Sequence, residues 1–249
     1  LYYGPQGENE VKSMLKDNHD IPGELQPLVK PYVAKQQTTE PKVYIAPYDS
    51  RQFNYTQYSN RGDKFDLAAT PAITLYNAYF GGGMNGIVFQ EMREARALAY
   101  SAGANLSSPY TLKDSYVFTA RIGSQNDKLQ QAVEAFDMII NDMPQSEKAL
   151  EIAKTYLDGM YRTQRINGAA VLNSSPRDQE LGLPEPVAKV IFESLDGLTM
   201  EDVVAAQQQW VKDRTYIYGL LGDEKGMDLA FLRTLGPITR LSLEDIFGY

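Results

Sequence analysis

The chain has 249 residues, 43% hydrophobic and 22% charged, with one histidine, no cysteine and a net charge of -8. That is room for one large or two small domains with a proper core, and it excludes a disordered class, disulfides and thiolate metal sites. No apolar run approaches the ~18 residues of a transmembrane helix, and the acidic balance lacks the basic footprint that nucleic-acid binding needs.

The opening Leu1-Tyr-Tyr-Gly carries neither an initiator Met nor a signal-peptide pattern, so the chain reads as a piece of something longer. Leu1 to Gly4 reads as a strand end. Gly7 to His19, with Val11, Met14 and Leu15 apolar, reads as a short helix. The same order of strand, glycine, loop and helix returns in Tyr216-Ile-Tyr-Gly-Leu-Leu-Gly and the Met227 to Leu232 run, which suggests a repeated domain-closing unit. Residues 1–20 are then the tail of a preceding domain. Residues 21–41, with Pro27, Pro31 and a Gln-Gln-Thr-Thr run, are a linker, and 42–249 form the complete domain.

Lys42 to Ile45 and Arg51 to Tyr58 are strands on either side of a Pro-Tyr-Asp-Ser turn, rich in Val, Ile, Phe, Tyr and Thr. Thr70-Pro71 caps a helix carrying Ile73, Leu75, Tyr76 and Tyr79, which stops at Gly81, Gly82 and Gly83. A second helix starts from an Asn85 cap and buries Ile87, Val88, Met92, Ala95 and Leu98 at helical spacing. Two strands, Tyr100 to Ser107 and Ser115 to Ile122, form an antiparallel pair. Tyr116, Phe118, Ala120 and Ile122 alternate there with Val117, Thr119 and Arg121.

Three further helical stretches follow. Leu129, Val133, Phe136, Ile140 and Met143 lie on one stripe ended by Pro144; a second helix starts at a Ser146 cap; the third starts at Thr199, with Asp202 in a capping-box position, and buries Val203 and Trp210. Between them, Tyr161 to Leu195 is helical but interrupted at Asn167-Gly168, Ser174-Ser-Pro and Leu183-Pro-Glu-Pro. The fold class is α+β, a mostly antiparallel sheet packed against helices.

The glycines at 81, 83 and 86 satisfy the letters of a dinucleotide-binding fingerprint, but a helix precedes them and Asn105 to Leu112 offer no carboxylate to meet a ribose. His19 has no second imidazole to join it, which removes two-histidine zinc sites and histidine-based triads. Arg93, late in the second helix, and Tyr100, seven residues on at the start of a strand, can point at one ligand. Their plain alternative is an Arg paired with Glu94 or Glu91 and a Tyr filling the sheet.

The run G-G-G-M-N followed by F-Q-E-M-R-E-A-R-A-L-A-Y, from Gly81 to Tyr100, resembles the glycine turn, helix and Arg/Tyr pair of the insulinase/pitrilysin-like zinc peptidases, in their non-catalytic half. Weaker similarity in element order extends over Lys42 to Tyr249, and Ala97 stands where the family usually has glycine. The resemblance implies a processing-peptidase-like metallopeptidase-half fold and a substrate-clamping role for Arg93 and Tyr100. It implies no catalytic or metal residue on this chain, zinc in the catalytic half, and a peptide substrate. The implied partner is an N-terminal zinc-bearing half, in the same polypeptide or a separate subunit. In that family an edge strand is presented for substrate to pair with. A bacterial periplasm or cell-envelope location is suggested by the resemblance alone. An inactive binding or scaffold subunit of the same fold is the alternative, and a free-standing carboxylate-dyad hydrolase is a third class.

Overall fold

The computed structural model describes residues 2–20, 22–24, 35–164 and 168–248. At its centre is a six-stranded mixed sheet in the order β3-β4-β2-β5-β1-β6. The strands are β1 (Lys42–Pro47), β2 (Gln52–Ser59), β3 (Ser101–Ser107), β4 (Val117–Gln125), β5 (Ile217–Gly222) and β6 (Ile238–Arg240). Three of the five pairings are antiparallel, β3 with β4, β4 with β2, and β2 with β5; β1 runs parallel to both β5 and β6. The Pro47 to Ser50 turn does not make a hairpin, because β5 inserts between β1 and β2. With helices on one face, the class is α+β, as the element order implies.

Alternation decides which face is covered. In β2, Phe53, Tyr55, Gln57 and Ser59 are buried, and in β4 Phe118, Ala120 and Ile122; the intervening residues point the other way. Against the buried parity pack α2 (Thr70–Phe80), α3 (Ile87–Phe89) and α4 (Leu129–Asn141), while α5 (Glu147–Thr163), α7 (Val187–Ser194) and α8 (Met200–Trp210) pack onto α2; α1 (Glu8–Asp17) precedes them in the chain. Between α5 and α7 lies α6 (Gly168–Glu180), which runs through Pro176, so the break read at Ser174-Ser-Pro is absent. Leu129, Val133, Phe136 and Ile140 of α4 are buried on one stripe, each contributing roughly 1.5–3 kcal/mol. Ser146 caps α5 by accepting from the Ala149 N–H at 3.2 Å, and Thr199 with Asp202 forms a complete capping box on α8.

Tyr79 ties the layers together. Its hydroxyl donates to the Pro144 carbonyl at 2.7 Å and accepts from the Ser146 N–H at 2.9 Å, fixing the end of α2 to the α4–α5 turn. Asn77, two residues earlier, closes a two-bond fork on Leu106 at 2.8 and 3.0 Å and so covers the outer edge of β3 there.

At the ends the sequence reading needs correction. Tyr2 to Gly4 is not a strand, and Leu1 lies outside the described residues. Of the linker, residues 21 and 25–34 lie outside them too, while Asn60 holds Lys35 and Thr38 through its side chain and backbone. After β5, α9 (Leu229–Leu235), β6 and α10 (Leu243–Phe247) close the chain.

Candidate functional site

The site begins where α2 stops. Gly81 passes so close to β3 that a Cβ there would lie 1.7 Å from the Ala104 carbonyl oxygen, and Gly83 has φ +66°, which favours glycine. A 3₁₀ turn, Gly83–Asn85, then delivers the chain to α3, whose N-cap is Gly86 rather than the expected Asn85. After Phe89 the helix widens: Gln90–Ala95 is π-helical, with the Arg96 N–H reaching the Glu91 carbonyl at 3.2 Å. This overturns one core assignment. Val88 and Met92 are buried, but Ala95 is exposed, because the wider turn moves it off the apolar stripe.

Just past the π segment comes Ala97, whose φ of 51° lies in the left-handed region and bends the chain sharply. The Leu98 and Ala99 N–H groups both turn back to the Met92 carbonyl, at 2.9 and 3.2 Å. The glycine usual in the resembling family would occupy this backbone conformation without the Cβ penalty, so Ala97 keeps the geometry at a cost. The chain then enters the sheet through the Tyr100 N–H, which donates to the Gly123 carbonyl at 2.8 Å.

Arg93 and Tyr100 come together at this bend. The Arg93 guanidinium carbon lies 5.0 Å from the centre of the Phe89 ring and 5.1 Å from that of Tyr100. Glu94 approaches Arg93 Nε only to 3.6 Å, and Glu91 is committed to Arg96 at 2.5 Å, so the ion-pair alternative accounts for little of Arg93's environment. The Tyr100 side chain is 69% exposed rather than filling the sheet, and its hydroxyl has no hydrogen-bond partner among the described residues. Both residues line a concavity of about 270 Å³ that Gln52, Ser124, Gln125 and Lys128 also line.

Lys128 Nζ donates to the Ala97 carbonyl at 3.0 Å, and the Ser124 hydroxyl donates to that of Leu98, so both brace the bend. Sequence reasoning missed these four lining residues, which converge only in the fold. Phe89 was findable: it stands four residues before Arg93, a spacing that puts two side chains on one helix face.

Zinc does not fit here. Among the described residues no group of three or more His, Cys, Asp or Glu could hold a metal ion. His19 Nδ1 sits 3.0 Å from the Leu15 carbonyl at the exposed end of α1. No described helix is long and apolar enough to cross a membrane.

A family profile described as "Peptidase M16 inactive domain" matches residues 2–157. A curated relative from Rickettsia felis, called an uncharacterized zinc protease, is 36% identical over 98 residues, covering 35% of this chain and 23% of its own length. Among solved structures, a peptidase M16 inactive domain from Pseudomonas fluorescens is similar with a TM-score of 0.64 at 18% identity, over 79% of this chain and 48% of that one. The periplasmic protease PqqL from Escherichia coli is similar with a TM-score of 0.58 at 15% identity, over 89% of this chain and 25% of that one. The chain thus spans half or less of each of these proteins. The profile match over more than half of its length makes this chain a member of the peptidase M16 inactive-domain family.

Proposed function

We propose that this chain is the substrate-clamping, non-catalytic part of a two-part zinc endopeptidase, with Arg93 and Tyr100 as the clamp. One observation carries the reading: the Arg93 guanidinium is held between the Phe89 and Tyr100 rings at the lip of an open concavity. Stacking restrains the long side chain and leaves its terminal N–H groups free to donate to a peptide carbonyl. The adjacent phenol can donate to a second carbonyl, or to an oxyanion developing during attack. Metal chemistry would come from the zinc-bearing half. This chain's contribution is to bind and orient.

The N-terminal residues fit the same picture. Helix α1 buries none of its residues and leaves Met14 and Leu15 about half exposed, whereas α9, which follows β5, buries Leu232 completely. Residues 1–20 would close a preceding unit, 21–41 link the two, and 42–249 form the clamp domain. Steady-state kinetics on the enzyme assembled from this chain and its zinc-bearing half test the clamp. Arg93→Ala should weaken peptide turnover without unfolding the chain. Wild-type kinetics in that variant would return the chain to the inactive-scaffold reading.

A further inference from the structure

The sheet face opposite the helices carries an unusual charge arrangement. None of the six strands contains Asp or Glu, in a chain with 32 acidic residues. Of the three strand cations, Lys42 is paired with Glu40 at 2.9 Å and Arg240 with Glu224. Arg121, in the middle of β4, is exposed and has no hydrogen bond or ion pair among the described residues.

Its neighbours keep it open. Arg121 stands opposite Gly103 on β3 and Thr56 on β2, and Thr56 in turn faces Gly219 on β5. A Cβ at Gly103 would meet nothing within 4 Å, and one at Gly219 only Thr56 Cβ at 4.0 Å. A guanidinium with Gly103 on one side and the short Thr56 on the other, over a face whose strands supply no carboxylate, is complementary to an anion arriving from outside.

Position then narrows the class of anion. Gly123, whose carbonyl receives the Tyr100 N–H, is two residues along β4 from Arg121, or roughly 7 Å at strand rise. Strand addition along β3 is obstructed by Asn77 at Leu106 and by Gly81 at Ala104. On the clamp reading, an extended peptide held at Arg93 and Tyr100 that runs along the open face passes Arg121 within a few residues.

We infer that Arg121 is a specificity-determining residue that selects an acidic side chain of the peptide, two to four positions from the residue held by Arg93 and Tyr100. This rests on the clamp reading above. Contact with a carboxylate uses the guanidinium fork, and its exposure makes the preference weaken as salt is raised.

The test uses the assembled peptidase and matched peptides carrying Glu or Gln at each position within four residues of the scissile bond. At one of these positions the wild-type enzyme should favour Glu over Gln in kcat/KM by roughly three- to tenfold. Arg121→Gln should abolish the preference, and Arg121→Glu should turn it towards a Lys peptide, with melting temperatures unchanged. Arg93→Ala should slow both peptides alike and preserve their ratio; no effect of Arg93→Ala would overturn the clamp itself. No wild-type preference, or a Glu/Gln ratio that survives Arg121→Gln, would overturn the assignment of Arg121 while leaving the clamp standing.

Discussion

Gly81 lies against Ala104 so closely that there is no space between the α2 terminus and β3 for even one methyl group. Gly81→Ala would press that methyl into backbone that Asn77 already pins, so we expect a loss of about 2–4 kcal/mol. Gly83→Ala meets no clash and suffers only from its positive φ, about 1–2 kcal/mol. Urea unfolding of both variants gives the comparison; an equal or larger loss for Gly83→Ala would contradict the close approach.

Ala97 predicts the reverse. Relieving its left-handed strain with Ala97→Gly should stabilise the chain by about 0.5–1 kcal/mol after the extra backbone entropy of glycine is subtracted. For a chain of this size that raises Tm by roughly 2–4 °C. A lower Tm would mean that the alanine methyl is packed rather than strained.

Asp137 should give the domain a pH signature. Burial pushes its carboxyl up to about 6 from the ordinary 3.8, only partly opposed by the hydrogen bond from the Gln57 amide, and it faces the Tyr55, Tyr216 and Tyr218 phenols. The folded state therefore binds the proton more tightly than the unfolded chain. Stability from this group is full below about pH 4, falls as pH rises to about 6, and is lost above that. The swing is about 2–3 kcal/mol for a group that keeps some contact with water. Asp137→Asn, which retains an acceptor for Gln57, should flatten the difference between urea midpoints at pH 4.5 and pH 7; an unchanged slope would reject the shift.

Kinetics should separate the two clamp residues. If Arg93 binds a carbonyl equally in the ground and transition states, Arg93→Ala raises KM and lowers kcat/KM by about 10- to 150-fold, the equivalent of ~1.5–3 kcal/mol. Tyr100→Phe keeps the ring beneath Arg93 and removes only the hydroxyl. It should lower kcat with KM nearly constant if that hydroxyl meets charge that grows during attack. A melting loss in either variant with wild-type kinetics would make these residues structural.

Much of the helical layer was legible because burial imposes period: the α4 stripe, the Ser146 cap and the Thr199–Asp202 box all lie where local chemistry demands. Strand order was not, since alternation in Lys42–Pro47 says which face is buried but not that β5 will lie beside it. Three-residue β6 is too short to carry a period, and α10, with its Ser242–Asp245 capping box, went unread. The π turn is invisible to an α-helical pattern, which is why Ala95 was misplaced. Arg93 and Tyr100 stood out only through the resemblance, because their separation alone does not bring them together. The Ala97 bend and the Gly123 carbonyl do that.

The place of β5 in the sheet also governs how the protein can be made. Both neighbours of β1 are encoded at the far end of the chain: Lys42 is registered with Ile217, and Val43 with Ile238. A ribosome adding roughly 5–20 residues per second leaves that strand unpartnered for on the order of ten seconds or more. Val43 and Ile45, fully buried at the end, spend that interval on a strand with two bare edges. The native sheet cannot be laid down in order of synthesis. It closes late, through a long-range parallel pairing, and the nascent chain must be shielded from its neighbours until the last strands arrive.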